Sequence, residues 1–252
     1  KEKHFKKENP MKKFKKIALW IVSILLVLLA AGFIYIKSST YHPTPQATKS
    51  ASQAEKLDNA LVFKGNPDKP SIIFYQGALV DNASYSIWAS KVAESGYSVY
   101  LLKEPLNLAI FNPDLADKVI KDEHLSQYIV GGHSLGGVMA SRFAAGHQDN
   151  SALEGVFFLA SYPDQKGSLK GYKGKVLSLV GSKDGVLNQS SYEKAKAYLP
   201  QQTVNVTLDG GNHAGFGSYG AQKGDNQADI SNEKQQEEIA AELIKWLQTS
   251  EK

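Results

Sequence analysis

The chain has 252 residues, of which 42% are hydrophobic and 21% are charged, a balance typical of one globular domain with a short addition. It contains no cysteine, which excludes disulfide bonds, thiolate metal sites and a cysteine nucleophile. Residues 1–16 hold eight lysines and two glutamates, a charge of +6, whereas the whole chain carries +4, so the remainder carries −2. The basic charge belongs to a tail, and we predict no nucleic-acid partner for the body.

The first element in chain order is an apolar run over residues 17–36 that has no charged side chain. A helix of this length covers about 30 Å, the hydrocarbon thickness of a bilayer. Trp20 and Tyr35 lie near its ends, where aromatic rings favour the headgroup region. Lysines are concentrated on the amino-terminal side. This predicts a single-pass anchor in the cell membrane, with residues 1–16 as a cytoplasmic tail and the body outside the cytoplasm.

Two other interpretations of the apolar run stay open. A cleaved signal peptide has a shorter apolar core, of about 7–15 residues, and a polar region after its small residues. Here the apolar residues 33–36 follow the small residues 30–32, which favours the retained anchor. The third interpretation is a buried helix of a soluble protein. Met11 is an alternative translation start that shortens the tail without changing the sign of its charge.

Residues 37–57 are rich in Ser, Thr, Pro, Gln and Ala and contain almost no aliphatic side chain. Such a segment buries too little apolar area to offset its ordering entropy, so we predict a flexible, solvated spacer. From 58 to 252 short apolar runs alternate with amphipathic ones. This alternation predicts one α/β domain, a mostly parallel, doubly wound sheet flanked by helices.

The predicted strands of this domain cover residues 61–63, 71–75, 98–102, 128–130, 155–160, 176–180 and 204–208. A first predicted helix begins at a cap at Asn82 or Ser84 and ends at Gly96. The other predicted helices cover 113–121, 135–146, 189–199 and 231–248, the last with Ser231 as its cap.

A G-x-S-x-G motif lies at 132–136, between a predicted strand and a predicted helix. A serine in such a turn has a strained backbone that exposes its hydroxyl, and a β-carbon at Gly132 or Gly136 would crowd the turn. The amino end of the following helix favours developing negative charge. We predict that Ser134 is a nucleophile. A phosphate-binding or merely tight turn is the alternative, disfavoured because no Walker lysine follows the glycines.

A serine nucleophile needs a base, and the base needs an acid that fixes its orientation. Of the six histidines, His213 lies in a glycine-rich loop just beyond the carboxyl end of a predicted strand, and we predict that it is the base. Asp184 and Asp164 both satisfy the chain order serine, acid, histidine. We favour Asp184 because the acid usually follows the next-to-last strand.

These motifs resemble the α/β-hydrolase superfamily, in particular its small, capless, dienelactone-hydrolase-like branch. The resemblance runs from about Ala60 to the carboxyl end. It rests on Gly-His-Ser-Leu-Gly-Gly at the elbow, Gly-Ser-x-Asp-Gly around Asp184, Gly-Gly-Asn-His at 210–213 and Pro-Leu-Asn-Leu at 105–108. It implies a triad of Ser134, Asp184 and His213, with serine in place of the cysteine nucleophile of true dienelactone hydrolases.

The oxyanion hole of this fold uses the backbone N–H of the residue after the nucleophile and one from the loop after the strand at 71–75. These correspond to Leu135 and Ala78, although the loop begins Gln76-Gly77 where His-Gly is usual.

Only residues 161–175 separate the strand at 155–160 from the next one, too few for a helical cap, so we expect the serine to open onto a shallow cleft. The expected cleft walls are Leu79, Leu106, Asn107, Phe111 and the loop that begins at Phe216.

The sequence as a whole predicts a membrane-anchored serine hydrolase that cleaves small-molecule or lipid-like carboxylic esters through an acyl-enzyme. We expect no cofactor and no metal, because Asp225 and Asp229 lack the terminal glutamate of a calcium loop. Two alternatives stay open: transfer of the acyl group to an alcohol or sugar by the same residues, and a non-catalytic anchored binding module.

Overall fold

The computed structural model describes residues 10–249, and the chain divides into two compact units between Thr40 and Tyr41. The amino-terminal unit is the helix α1, Pro10–Ser38. Within it, residues Lys13–Ser38 are long and apolar enough to cross a membrane. This segment includes the predicted anchor at 17–36. Residues 1–9 of the predicted cytoplasmic tail, and 250–252 at the other end, lie outside the described residues.

The second unit is built on an eight-stranded sheet in the order β1-β2-β4-β3-β5-β6-β7-β8. The pairs β1/β2 and β2/β4 are antiparallel, and the other five pairs are parallel. The strands are β1 Glu55–Lys56, β2 Ala60–Phe63, β3 Ser71–Tyr75, β4 Val99–Leu102, β5 Tyr128–His133, β6 Leu153–Leu159, β7 Lys175–Gly181 and β8 Val204–Leu208. The prediction of a mostly parallel sheet is confirmed.

Helices cover both faces of this sheet. They are α2 Pro45–Ala51, α3 Ser86–Glu94, α4 Leu115–Asp122, α5 Leu135–Gly146, α6 Gln189–Ala195 and α7 Asn232–Gln248. The Ser231 hydroxyl accepts a hydrogen bond from the Lys234 amide and caps α7, as predicted.

The central strand β3 separates two hydrophobic cores, and all five of its residues are buried. Ile72 and Phe74 belong to the core that includes Trp88 of α3. Ile73 and Tyr75 belong to the opposite core, which includes residues of α4 and α5. A strand buried on both faces is apolar at every position, which explains the continuous run of apolar residues in the sequence.

No cap domain interrupts the described fold between β6 and β7, as predicted. The fifteen residues 160–174 contain one short 3₁₀ turn, Gln165–Gly167. The carboxyl edge of the central strands is therefore not covered by an inserted domain on this side.

The prediction of a flexible spacer over 37–57 is wrong for the part that belongs to the second unit. The Thr44 hydroxyl caps α2 by accepting the Ala47 amide at 3.3 Å, and Ala47 is fully buried. The Ser50 hydroxyl donates to the Ser86 carbonyl at 2.9 Å, at the start of α3. The prediction from composition is wrong here because this segment is held by small alanines that pack closely on a neighbouring helix, and not by large aliphatic side chains.

Candidate active site

Ser134 lies in the turn between β5 and α5, with φ 52° and ψ −123°. A non-glycine residue in this region is strained by about 1–3 kcal/mol and persists only where its surroundings hold it. Here the Ser134 amide donates to the Leu159 carbonyl at 3.0 Å, and its carbonyl accepts the Ser161 hydroxyl at 2.6 Å. These bonds fix the turn on both sides of the half-buried side chain.

The glycines of the motif are required by close packing, as the sequence predicted. A β-carbon on Gly132 would overlap the backbone of Gly136 across the turn, and one on Gly136 would overlap the carbonyl oxygens of Tyr75 and Gln76. The amino end of α5 therefore lies directly against the end of β3 and the loop that follows it. This close approach brings the Leu135 amide and the loop after β3 to the same edge of the sheet.

His213 and Asp184 form a buried hydrogen-bonded pair. Nδ1 of His213 donates to Oδ2 of Asp184 at 2.8 Å, and their side chains are 2% and 0% exposed. The other oxygen, Oδ1, accepts the backbone amides of Val186 at 2.9 Å and Leu187 at 2.7 Å. With both oxygens engaged, the carboxylate is held in one orientation and fixes the imidazole ring in turn.

Ser134 and the second ring nitrogen of His213 are not joined by a hydrogen bond among the described residues. Ser134 and His213 line one cavity of about 250 Å³ at the carboxyl edge of the sheet. Nε2 of His213 is buried and has no hydrogen-bond partner among the described residues, the Ser134 hydroxyl included. In free enzymes such bonds are often long and shorten in the substrate complex. Because Nδ1 carries the proton given to Asp184, Nε2 is free to accept one.

Asp164, the other candidate acid, and Asp209, which lies too close to the end of its strand to reach behind the imidazole, bind elsewhere. Asp164 accepts Nε of Arg142 at 3.0 Å together with its Nη2, and the hydrogen bonds from Arg142 lower the pKa of this carboxyl. It also caps the turn at Gly167. Asp209 accepts the Ser182 hydroxyl at 3.2 Å. The carboxylate that contacts His213 is thus the one favoured from the sequence.

The loop after β3 carries Ala78, the predicted second oxyanion donor. The Ala78 amide makes no hydrogen bond to any part of the chain that the structure describes. Leu135 is the first residue of α5, and the amide at this position has no intrahelical acceptor. Both amides are therefore available to a developing negative charge.

Hydrogen bonds that involve Tyr85 and His133 hold this loop in place. The Gly77 amide donates to the Tyr85 hydroxyl at 2.9 Å, and the same hydroxyl lies 2.9 Å from Nδ1 of His133. His133 is buried, and its ring centroid lies 4.7 Å from that of His213. Burial and then the neighbouring His213 hold the pKa of His133 well below its usual value, so this ring is neutral at neutral pH.

The predicted cleft walls lie elsewhere in the structure. Phe216 is fully buried in the core and cannot line an open cleft, so that prediction is wrong. Leu79, Leu106 and Asn107 are half-buried, with left-handed φ values of 59°, 55° and 55°. They support the loop after β3, where the Leu79 amide donates to the Asn107 carbonyl at 2.7 Å. None of these four residues lines the cavity at Ser134.

Besides Ser134 and His213, the cavity is lined mostly by residues that the sequence did not single out. They come from the loops after β6 and β7 and from the first turns of α5: Leu135, Val138, Ala160, Ser161, Tyr162, Val186, Leu187 and Asn188. The chain order placed both loops at this edge, but it gave no information on which side chains turn inward. Of these residues, only Leu135 had a predicted role, through its backbone.

The described residues contain no group of three or more His, Cys, Asp or Glu side chains that can hold a metal ion. Asp225 accepts backbone amides, and Asp229 pairs with Lys183 at 3.0 Å.

A sequence profile of the alpha/beta hydrolase family matches residues 71–237, which include β3, the elbow and the loops of Asp184 and His213. No curated protein matches the chain in sequence.

Solved structures share the fold at low sequence identity. A monoacylglycerol lipase of Paleococcus ferrophilus has a TM-score of 0.57 at 14% identity, covering 73% of this chain and 96% of its own. The naproxen esterase, carboxylesterase NP, of Bacillus subtilis has a TM-score of 0.51 at 10% identity, covering 67% and 90%. A protein described as a predicted CIB-like hydrolase of Thermoplasma acidophilum has a TM-score of 0.55 at 18% identity, covering 77% and 95%.

Proposed function

The chain belongs to the alpha/beta hydrolase family, and on that premise we propose that it is a serine hydrolase that cleaves carboxylic esters. Ser134 is the nucleophile, His213 the general base and acid, and Asp184 the carboxylate that orients the imidazole. The observation that carries this proposal is the buried His213–Asp184 pair, whose histidine lines the same cavity as Ser134.

In the first half of the reaction, the Ser134 oxygen attacks the ester carbonyl carbon and its proton passes to Nε2 of His213. The carbonyl oxygen becomes an oxyanion, stabilised by the amides of Ala78 and Leu135 and by the amino end of α5. When the intermediate collapses, the C–O bond to the alcohol breaks and Nε2 returns the proton to the leaving oxygen. The acyl group is then bound to Ser134 as an ester.

In the second half, water attacks the acyl carbon while Nε2 of His213 takes one of its protons. The bond from the acyl carbon to Ser134 breaks, the serine oxygen recovers the proton, and the carboxylic acid leaves. Asp184 remains ionised throughout and stabilises the imidazolium that forms in each half. Its two backbone donors, the amides of Val186 and Leu187, keep that charge in place.

Ester chemistry is supported by the neighbours and by the cavity. The structural neighbours include proteins named as a monoacylglycerol lipase and a carboxylesterase. The cavity at Ser134, of about 250 Å³, has a largely apolar lining that includes Val138, Val186 and Leu187. Ligand pockets for drug-sized molecules measure roughly 300–1,000 Å³. We therefore propose esters in which the part bound in this cavity is short and uncharged.

We also propose that α1 is retained as a membrane anchor and that the hydrolase unit lies outside the cytoplasm. The support is the length and composition of Lys13–Ser38 and the lysines on its amino-terminal side. The substrate is then an ester that reaches the outer side of the membrane, either free or carried by a lipid.

The test is turnover of a series of nitrophenyl esters of increasing acyl length. We expect hydrolysis by the wild-type protein to fall with acyl length, and Ser134→Ala to reduce kcat by about 10⁴- to 10⁶-fold. Ser190→Ala, at an exposed serine of α6, is the matched control and keeps wild-type activity. Equal turnover by the Ser134 and Ser190 variants contradicts the proposal.

A further inference from the structure

Asp225 connects the loops that carry His213 and Asp184. Its Oδ2 accepts the amide of Ala214, the residue after His213, at 2.8 Å. Its Oδ1 accepts the amide of Gly185, the residue after Asp184, at 2.9 Å. One carboxylate thus bridges the peptide units that follow the proposed base and the proposed acid, from a segment that contributes neither.

The neighbouring residue strengthens the same connection. The carbonyl of Asn226 accepts Nδ2 of Asn212, the residue before His213, at 2.7 Å. A β-carbon on Gly185 would lie 2.8 Å from the Asn226 amide nitrogen, so the turn after Asp184 packs closely on this segment. Residues 225–226 therefore contact the His213 loop on both sides of the histidine and the Asp184 turn on one side.

The two loops have one direct backbone link nearer the sheet, from the Lys183 amide to the Gly211 carbonyl at 2.8 Å. That bond lies two residues before His213 and one before Asp184. It fixes the separation of the two loops near the sheet, but it does not fix the orientation of Asp184 and His213, which lie further along the loops. Asp225 binds each loop further along the chain, at Gly185 after Asp184 and at Ala214 after His213.

We propose that Asp225 is a positioning residue, which keeps the His213–Asp184 pair aligned on Ser134 through both halves of the reaction. This inference rests on the proposed function. It assigns a role to the polar segment 218–229, whose spaced aspartates otherwise suggest a weak cation site. In place of a cation, the Asp225 carboxylate accepts three backbone N–H groups, those of Gly185, Ala214 and Asn226, the same kind of donor that holds anions in protein nests.

Substitution of Asp225 by asparagine tests this role with little change of shape. Asparagine keeps one acceptor oxygen but places an NH₂ group against the other backbone amide, so one of the two bridging bonds is lost. The control is Asp229→Asn, in the same segment, because the Asp229 side chain is 62% exposed and pairs with Lys183 at the surface. Activities are normalised to the folded fraction measured by circular dichroism.

Two esters with the same acyl group separate positioning from simple destabilisation. Nitrophenolate leaves without a proton, whereas the alkoxide of an ethyl ester needs one from Nε2 of His213 as it departs. A misaligned imidazole therefore harms the ethyl ester more. We expect Asp225→Asn to lower kcat/KM by about 10²-fold for the ethyl ester and about 10-fold for the nitrophenyl ester, through kcat and with KM nearly unchanged.

The proposal is overturned if kcat/KM falls equally for the two esters, or if only KM changes. It is also overturned if Asp225→Asn behaves like Asp229→Asn. Wild-type protein and Ser134→Ala are measured in parallel. If the wild type hydrolyses neither ester, the proposed function fails and the role of Asp225 fails with it. If the wild type is active and Ser134→Ala is not, an unchanged Asp225→Asn variant overturns only the role of Asp225.

Discussion

At the residue scale, the hydroxyl of Tyr85 links the loop after β3 to the elbow. It accepts the Gly77 amide and pairs with Nδ1 of His133, the residue before Ser134. Replacing it by phenylalanine leaves two buried polar groups without a partner, at a cost of about 1–3 kcal/mol. The loop that presents the Ala78 amide also loses the hydrogen bond that holds Gly77 in place.

We expect Tyr85→Phe to lower the midpoint of thermal unfolding by roughly 2–4 °C for each 1 kcal/mol lost, and to reduce kcat by about 10-fold. Thermal unfolding and ester hydrolysis are compared with Tyr198→Phe, at a half-buried tyrosine in the turn after α6. If both variants unfold and react alike, the hydroxyl of Tyr85 has no special role in the loop.

Glu104 is a second residue with an unusual environment. Glu104 is 3% exposed, and neither of its side-chain oxygens has a hydrogen-bond partner within residues 10–249. Burial raises the pKa of Glu104 to about 8, against about 4.3 for a glutamate in an unfolded chain. As the pH rises between these values, the unfolded state releases a proton that the folded state keeps, so the free energy of unfolding falls.

Glu104→Gln removes this proton difference. We expect the unfolding temperature of the variant, relative to that of the wild type, to be lowest near pH 4 and to rise steadily up to about pH 8. Glu94→Gln, at an exposed position of α3, controls for the charge change. A temperature difference that stays constant from pH 5 to pH 9 shows that Glu104 is ionised in the folded protein and contradicts its raised pKa.

Single residues could be predicted from the sequence where a turn or the chain order restricts the residue type. The prediction failed where a role depends on the direction in which a side chain points. Ser134 and its glycines follow from the strain of a strand-to-helix turn, and Asp184 follows from its place after β7. The sequence predicts Phe216 as a cleft wall, yet this side chain is fully buried in a core. Periodicity cannot settle the direction of a side chain in an irregular loop.

At the element scale, the helix α2 is the main feature that the sequence did not predict. Thr44 both caps this helix and forms a hydrogen bond between its hydroxyl and that of Ser218, at 2.7 Å. Its backbone amide also donates to the Ser218 carbonyl at 2.8 Å. Thr44 thus ties residues 41–51 to the segment that follows His213.

We expect Thr44→Ala to destabilise the protein by about 0.5–2 kcal/mol, as the loss of a helix cap does elsewhere. Thr48→Ala is the matched control, because Thr48 is exposed on the same helix. Chemical denaturation of both variants measures the difference. Equal midpoints for the two variants mean that α2 contributes nothing to the fold through its cap.

Elements with strong periodicity were predicted closely, and the reasons are visible in the packing. The bounds of β3, α5 and β8 match the predicted ranges 71–75, 135–146 and 204–208. The apolar residues of β3 lie in the cores and the glycines of α5 fit a close approach, so the local pattern and the tertiary contacts agree. In β8, Val206 and Leu208 pack against a core, whereas Val204 is exposed. β1 has only two residues, both polar and exposed, and exists through its antiparallel pairing with β2, which the pattern of these two side chains does not indicate.

At the scale of the whole molecule, the role of α1 determines where the hydrolase works. If α1 is a retained anchor, the protein in cells stays in the membrane fraction after washing with alkaline carbonate, and its amino-terminal residues are found by mass spectrometry. A chain that begins at Tyr41, the first residue of the second unit, is the soluble control. A processed protein that lacks α1 and is released from the membrane contradicts the anchor.

Every role proposed for this site depends on Ser134 being an activated nucleophile. The most direct measurement is reaction of the purified protein with a fluorophosphonate probe, followed by mass spectrometry of the labelled peptide. We expect one covalent adduct, on Ser134, and loss of labelling in His213→Ala because the serine then lacks its base. No adduct, or an adduct on a different serine, contradicts the account.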